Sequence, residues 1–333
     1  MNIPGFVDLQ VNGYLGVDFS DPELTVEAAA TACRSLLRRG TAAFLPTLVT
    51  SPPEVYRRNL PLLAELMRGP EFAGRLLGFH LEGPFISQAP GAVGVHDPRW
   101  VREPDGELLR RLAEWAEGRI RLLTLAPELP GAVELTRAAA ALGITVSVGH
   151  TLCTAEQLRA VREAGAAALT HLGNGVPAML PRHENPIWAG LAEDALTAML
   201  VADGHHLPAP VLKSVLRAKG AARCVVVSDA AALSGQPPGR YRWNGAEVVL
   251  EPSGRLHMPA RGCLAGSAAT MLQCMNHLAG LRILDLDELL EVGFFNPALL
   301  IGCDPAGIPK RSRLGYDSQR HEFFVESDVR ERV

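Results

Sequence analysis

The sequence predicts an α/β protein built as a (β/α)8 TIM-type barrel. Short apolar segments bounded by glycine or proline alternate eight times with segments of helical period, the pattern of parallel strands joined by helices. Polar residues follow the predicted strands all the way round, where a barrel places its active site. An open doubly wound sheet uses the same units, but no G-x-G-x-x-G motif follows the first strand. The length of 333 residues suits a single barrel.

The first unit shows how each element is assigned. Residues 5–12 read as a buried strand, and residues 22–39 carry apolar side chains at helical spacing until Gly40 ends the helix. The remaining predicted units are strand 41–48 with helix 52–68, strand 76–81 with helix 106–117, strand 120–125 with helix 130–142, strand 144–148 with helix 154–164, strand 167–171 with a long Gly/Pro-rich loop, strand 198–203 with helix 208–219, and strand 224–229 with a delayed helix at 267–281.

An insertion separates the eighth predicted strand from its helix. Asn244-Gly245 is typical of a tight hairpin turn, and Pro252-Ser253-Gly254 predicts a second turn. We expect residues of about 240–262 to form a flap over the barrel mouth, with a structural edge hairpin as the alternative. The predicted organisation is a barrel domain over 1–303 and a charged, irregular tail over 304–333 with one short strand at 323–325.

Composition excludes several classes of protein. With 47% hydrophobic and 20% charged residues and a formal net charge of -4, the chain lacks the basic surface that nucleic acid or an anionic membrane would need. No apolar stretch approaches the roughly 18 residues of a membrane helix. The six cysteines contain no C-x-x-C pair, and the first residues show no basic region followed by an apolar one. We therefore predict reduced thiols in the cytoplasm, and no nucleic-acid or membrane partner.

Glu82 is the carboxylate around which the chemistry is organised. It closes the buried strand that contains His80, and Gly83-Pro84 follows at once. A carboxylate at the tip of a buried strand loses hydration free energy unless it is paired or bound to a metal. Capping or ion pairing is the plain alternative at this position.

Other polar residues recur at equivalent strand ends. A lone histidine in such a place is more often a satisfied core residue. Two imidazoles and one carboxylate with an open fourth position, however, are the ligand set of a catalytic zinc. The strand-end residues are Gln10, Asn12, Glu82, His150, His171, Asp203, His206 and Asp229.

These motifs together resemble the N-acetylglucosamine-6-phosphate deacetylases of the amidohydrolase superfamily. The resemblance runs from Pro4 to about Asp304. It is carried by the ordered set Pro4-Gly-Phe-Val-Asp-Leu-Gln-Val-Asn-Gly13, His80-Leu-Glu-Gly-Pro84, Leu125-Ala-Pro-Glu128, Gly149-His-Thr151, Thr170-His-Leu172 with Asn174, Ala202-Asp-Gly204 with His206, Val227-Ser-Asp-Ala230 and Leu264-Ala-Gly-Ser267.

The resemblance implies a role for each chemical group. Glu82, His150 and His171 would bind one divalent metal, zinc, and Asp229 would be the catalytic acid and base. His96 would contact the substrate and polarise its carbonyl. The implied reaction is metal-assisted hydrolysis of the N-acetyl group of N-acetylglucosamine-6-phosphate. Another N-acyl or cyclic amide substrate, or a non-catalytic sugar-binding relative, are the alternatives.

The resemblance also implies which residues bind the substrate. His206 would contact the substrate, and backbone N–H groups near Asn174 and Gly175 would hold its phosphate. The family supplies a phosphate-binding arginine from the loop at 180–186, often to a neighbouring subunit, which implies a homodimer. Arg182 is the nearest candidate here, and a plain surface role is its alternative.

Three departures from the family pattern stand out. The superfamily's H-x-H on the first strand is Gln10-x-Asn12, as in members of this family that use one metal, so a second metal site should be weak or absent. The R-E-P-G loop becomes Pro181-Arg-His-Glu-Asn-Pro186. The β-sandwich residues that normally precede the first strand are expected to be missing.

Overall fold

The computed structural model describes residues 4–243, 245–310 and 313–326. Eight parallel strands form the central sheet, and each is hydrogen-bonded to the next parallel strand along the chain. In chain order these strands and a short hairpin are β1 (Phe6–Val11), β2 (Gly13–Tyr14), β3 (Val17–Asp18), β4 (Thr41–Val49), β5 (Phe79–Glu82), β6 (Ile120–Leu125), β7 (Thr145–Val148), β8 (Ala166–Leu169), β9 (Thr197–Val201) and β10 (Cys224–Val227).

The sheet closes between β10 and β1. Val11 pairs in parallel with Ala230, just beyond β10, and the backbone N–H of Asn12 donates to the Ala230 carbonyl at 2.8 Å. Deeper in this seam, buried Asp8 accepts hydrogen bonds from the N–H and Oγ of Ser228 at 3.1 and 2.5 Å. Burial raises the pKa of Asp8 to about 6, against the effect of these bonds. The predicted TIM-type barrel is confirmed.

Helices alternate with these strands and cover the outside of the barrel. Their apolar faces pack with the outward side chains of the strands in one continuous core. The helices are α1 (Val26–Leu37), α2 (Pro53–Arg68), α3 (Gly106–Trp115), α4 (Ala132–Ala141), α5 (Ala155–Glu163), α6 (Pro186–Ala192), α7 (Ala209–Lys219), α8 (Met271–Gly280), α9 (Leu286–Leu290) and α10 (Asn296–Leu300). Within the described ranges, no helix is long and apolar enough to cross a membrane.

The amino-terminal end of the barrel is plugged. A π-helical turn at Glu291–Phe295 joins α9 to α10. Phe294 and Ala298 from this segment pack with the barrel residues Val7 and Val225 in one buried cluster. Because this end is filled by apolar side chains, the only polar strand ends free to form a site within the described barrel are the carboxyl ends.

The insertion after β10 is a small antiparallel sheet, which we call the flap. Its strands are β11 (Gly239–Trp243), β12 (Ala246–Leu250), β13 (Leu256–Met258) and β14 (Cys263–Leu264), paired in that order. It has its own buried cluster, which includes Val248, Leu250 and Leu256. Of the predicted Asn-Gly turn, Gly245 is described and Asn244 lies outside the described residues.

The tail is more regular than the sequence predicted. Strands β15 (Leu314–Asp317) and β16 (Glu322–Val325) form an antiparallel hairpin. Phe323 lies edge-on to Phe6 with ring centroids 5.0 Å apart, and Asn276 of α8 hydrogen-bonds the N–H and C=O of Phe323. Burial of Leu314 and Phe323 against the barrel orders a segment that its charge content alone would leave irregular.

Two further differences lie near the mouth. The predicted strand 76–81 begins at Phe79 and ends on Glu82, so the carboxylate belongs to the last strand residue. The Gly/Pro-rich loop after β8 contains α6, whose first turn is capped by the Asn185 side chain with Pro186 at the first helical position. Its length of only 7 residues leaves little periodicity to detect.

Candidate metal centre and active site

Three buried side chains converge at the mouth of the barrel. Glu82 ends β5, and His150 and His171 follow β7 and β8 by two residues each. The Nε2 atoms of His150 and His171 lie 3.0 and 2.9 Å from Oε1 of Glu82, and 3.1 Å from each other. Parallel strands bring residues distant in sequence to one edge, as the sequence analysis expected.

The hydrogen bonds of His150 show what this cluster requires. Its Nδ1 donates to the Ala92 carbonyl at 2.7 Å, so Nε2 presents a lone pair to Glu82. The two Nε2 atoms and Glu82 Oε1 therefore lie within 3.1 Å of one another, an arrangement that needs a proton or a cation among them. Burial alone would lower the pKa of His150, but Glu82 outweighs burial and raises it. A single divalent cation would satisfy all three acceptors at once, and two nitrogens with one oxygen suit zinc.

Histidine and aspartate adopt an uncommon backbone conformation at this site. His150, His171 and Asp229 have φ angles of 50°, 31° and 50°. Non-glycine residues enter this left-handed region rarely, and they do so most often at functional sites. The turn at each strand end thereby aims the side chain across the barrel axis rather than along the strand.

Two glycines lie so close to the His150 ring that a side chain at either position would crowd it. A Cβ on Gly94 would come within 3.3 Å of the ring, and a Cβ on Gly175 would come within 3.1 Å of its Nδ1. The Gly175 Cβ would also lie 3.0 Å from the His171 ring. Both glycines have positive φ, so any side chain there adds backbone strain to the crowding.

Asp229 is held by two amide side chains from β1 and its end. Its Oδ1 accepts hydrogen bonds from Asn12 Nδ2 at 2.7 Å and from Gln10 Nε2 at 3.1 Å. Gln10 Nε2 also donates to Glu82 Oε1 at 2.9 Å. Burial and then the negative charge of Glu82 raise the pKa of Asp229 to about 6. Since Oδ1 is occupied, Oδ2 is the oxygen left to exchange a proton.

His96 reaches the cluster from the loop after β5. Its Nδ1 accepts a hydrogen bond from the Thr50 N–H at 3.4 Å, and its Nε2 lies 3.3 Å from His150 Nε2. Burial, followed by the nearby His150, lowers the pKa of His96 to about 3. His96 is therefore neutral at pH 7 with its proton on Nε2, directed into the site.

His206 is part of a buried acid–histidine pair. Asp203 Oδ2 accepts from His206 Nδ1 at 2.8 Å, and Asp203 Oδ1 accepts from the backbone N–H groups of His205 and His206. Burial opposes a charge on either group, but the pairing lowers the pKa of Asp203 and raises that of His206. His206 Nε2 faces Asp229 Oδ2 at 3.9 Å. The pairing of Asp203 with His206 went unnoticed in the sequence, although their three-residue spacing was visible.

These groups share one cavity of about 200 Å³. Its wall includes both metal-competent histidines, Glu82, Asp229, His96, His206, Asn174, Gly175 and the flap residues Trp243, Cys263 and Leu264. The structure does not bring Arg182 to this cavity. It lies on an exposed loop, where its carbonyl accepts a hydrogen bond from Trp188 Nε1.

Sequence comparisons place this geometry among known enzymes. The family model "Amidohydrolase family" matches residues 1–308. The N-acetylglucosamine-6-phosphate deacetylase of Homo sapiens is 37% identical over 315 residues, covering 90% of this chain and 74% of that protein. The N-acetylgalactosamine-6-phosphate deacetylase of Escherichia coli O157:H7 is 31% identical over 303 residues, covering 90% and 78%.

Solved structures give the same result. N-acetyl-D-glucosamine-6-phosphate deacetylase of Mycobacterium smegmatis, solved as a mutant in complex with N-acetyl-D-glucosamine-6-phosphate, aligns with a TM-score of 0.87 and 28% identity, covering 98% of this chain and 85% of that one. The corresponding enzyme of Pasteurella multocida aligns with a TM-score of 0.83 and 27% identity, covering 98% and 86%.

Proposed function

Because this chain belongs to the amidohydrolase family, we propose that it hydrolyses N-acetylglucosamine-6-phosphate to glucosamine-6-phosphate and acetate. One observation carries the proposal: a metal-competent triad and the carboxylate of Asp229 face one small cavity. The similarity to the human deacetylase covers 90% of the chain, and the family match over residues 1–308 includes every residue of that cavity. The substrate is thus a small amino sugar, and the bond cleaved is an amide.

The hydrogen bonds of the site residues are consistent with a role for each in the proposed hydrolysis. Glu82, His150 and His171 would hold one divalent metal, proposed to be zinc, which when bound polarises a carbonyl and lowers the pKa of water towards about 7. Asp229 Oδ2 would accept the proton of the attacking water and return it to the departing amine nitrogen. His96 Nε2–H would donate to the carbonyl oxygen as it gains negative charge, contributing about 3 kcal/mol.

An acetate-release assay tests this function. Purified enzyme loaded with zinc should release acetate from N-acetylglucosamine-6-phosphate in step with a new primary amine. Metal bound in full with no acetate released would support the non-catalytic relative instead. The 31% identity to an N-acetylgalactosamine-6-phosphate deacetylase makes that epimer the second candidate substrate, so both sugar phosphates belong in the assay.

The Asp203–His206 pair predicts a binding defect. Asn at position 203 keeps the shape and the backbone hydrogen bonds but removes the negative charge that supports His206. We expect Asp203→Asn to raise KM for the sugar phosphate roughly 10-fold with a smaller change in kcat, as loss of one charge-assisted contact would. Steady-state kinetics check this, with exposed Asp287→Asn as control. An unchanged KM would show that the Asp203 charge does not act on substrate binding through His206.

Arg182 is proposed to complete the phosphate site of a second copy. Its loop places Met179 88% exposed and Trp188 56% exposed, which suits burial against a partner in a homodimer. We expect Arg182→Ala to raise KM roughly 10- to 100-fold for the 6-phosphate. Activity on unphosphorylated N-acetylglucosamine should hardly change.

Two controls make this test specific. Arg320→Ala removes another exposed arginine, in the β15–β16 hairpin far from the mouth, and should leave both substrates unaffected. Mixing Arg182→Ala subunits with inactive Asp229→Asn subunits should restore about a quarter to half of the activity if the arginine acts across the interface. Equal kcat/KM for the sugar with and without its phosphate would show that this enzyme changed its substrate.

The proposed compartment is the cytoplasm. All six cysteines are free, and four of them are buried. Burial raises the pKa of Cys33 and of Cys274 above that of an ordinary thiol, so these groups stay protonated and inert. A chain of this kind is suited to a reducing compartment.

A further inference from the structure

Trp243 and Arg261 of the flap make polar contacts with the barrel rim. Trp243 Nε1 of β11 donates to buried Asp18 Oδ2 at 2.7 Å. On the other side, Arg261, in the turn between β13 and β14, donates through Nη1 to the carbonyls of Gly94 and His96 at 3.1 and 3.4 Å. These contacts join the flap to the β2–β3 hairpin and to the loop after β5.

The loop to which Arg261 donates hydrogen bonds contributes two groups to the active site. Its Ala92 carbonyl fixes the His150 ring, and His96 presents Nε2–H to the site. The His96 N–H donates to Val93 O within the loop, the His96 ring receives the long 3.4 Å bond from Thr50, and the Ser87 N–H ties the start of the loop to the His150 carbonyl at 2.9 Å. Arg261 adds side-chain hydrogen bonds to the stretch that ends at His96, and so contributes to the position of that stretch.

We propose that Arg261 is a positioning residue, which fastens the flap to the His96 loop and so holds the His96 imidazole over the reacting carbonyl. The inference rests on the proposed deacetylation for its kinetic part. Arg261 touches only backbone carbonyls of the loop, and it does not line the cavity of the metal triad. It therefore acts through His96 rather than on the substrate.

A double-mutant cycle tests whether Arg261 acts through His96. We expect Arg261→Ala to lower kcat roughly 3- to 30-fold with full metal content, because one contact to a charged donor is lost. In a His96→Ala background the same change should have little further effect. Arg240→Ala, on the same flap with its partner Glu247 also on the flap, is the matched control and should keep normal kinetics.

Several results would overturn the proposal. If the two substitutions lower kcat by independent factors, Arg261 does not act through His96. An unchanged kcat for Arg261→Ala would show that the contact does not contribute to turnover. A loss of bound metal would assign the effect to His150 instead.

Hydrogen–deuterium exchange separates this proposal from the proposed function, because it needs no substrate. Arg261→Ala should speed amide exchange at Val93 and His96, whose N–H groups bond within the loop, while Arg240→Ala should not. Unchanged exchange would refute the contact even if deacetylation is confirmed. If Arg261→Ala speeds amide exchange but the unaltered protein releases no acetate, the proposed contact stands and the proposed deacetylation is wrong.

Discussion

His171→Ala, like His150→Ala, is expected to abolish metal binding and hydrolysis together. Each histidine supplies one of the three acceptor atoms that lie within 3.1 Å of one another. Removing one leaves a single histidine and Glu82 as metal-competent ligands, so metal affinity should fall by more than the roughly 10- to 100-fold that loss of an outer-shell partner costs.

Metal analysis of the unaltered protein sets the reference for that result. We expect one zinc per chain, because Gln10 Nε2 already spans Glu82 and Asp229 where a second cation would have to lie. His321→Ala, in the hairpin at the far end of the barrel, should keep the metal. Two full equivalents per chain, or none after purification without chelators, would contradict the assignment.

Asp229→Asn is expected to lower kcat by roughly 10²- to 10⁴-fold while leaving the metal in place. Asparagine is nearly isosteric, and its amide oxygen can still accept from Asn12 and Gln10. It cannot take a proton from water at neutral pH. KM should change much less than kcat, because the carboxylate acts mainly in the transition state.

The alternative role for Asp229 predicts a different pattern. A carboxylate that only orients a ligand would, when neutralised, weaken metal binding and leave turnover of the loaded enzyme intact. Near-normal kcat in fully metallated Asp229→Asn would therefore remove Asp229 from proton transfer. Measuring metal content and kcat on one preparation distinguishes the two roles.

The barrel was predictable because its signal is local. Buried parallel strands such as β6 and β9 are short apolar runs, and helices such as α2 repeat their apolar face every three to four residues. The strand-end positions of Glu82, His150 and His171 then follow from the topology alone. Helix α6 and strand β15 escaped prediction because burial against distant residues, rather than local pattern, stabilises them, whereas the strand predicted at 323–325 is present as β16.

The arrangement of the site residues was less predictable from the sequence than their identity. The Ala92 carbonyl that orients His150, and the Arg261 contact with Gly94, join residues with no shared motif. Backbone carbonyls are present at every position, so no residue type marks the one that is used. The pairing of Trp243 with Asp18 is likewise set by how the flap lies on the rim.

The left-handed backbone at His150 and His171 limits which side chains can take the place of these two proposed metal ligands. Histidine, aspartate and asparagine are the non-glycine residues that enter that region most readily. Cysteine would also coordinate zinc, but it lacks that tolerance, and backbone strain of this kind costs on the order of 1–3 kcal/mol per residue. Chain geometry therefore favours nitrogen over sulfur donors at positions 150 and 171, since a change of either histidine to cysteine would cost backbone strain as well as the imidazole ligand.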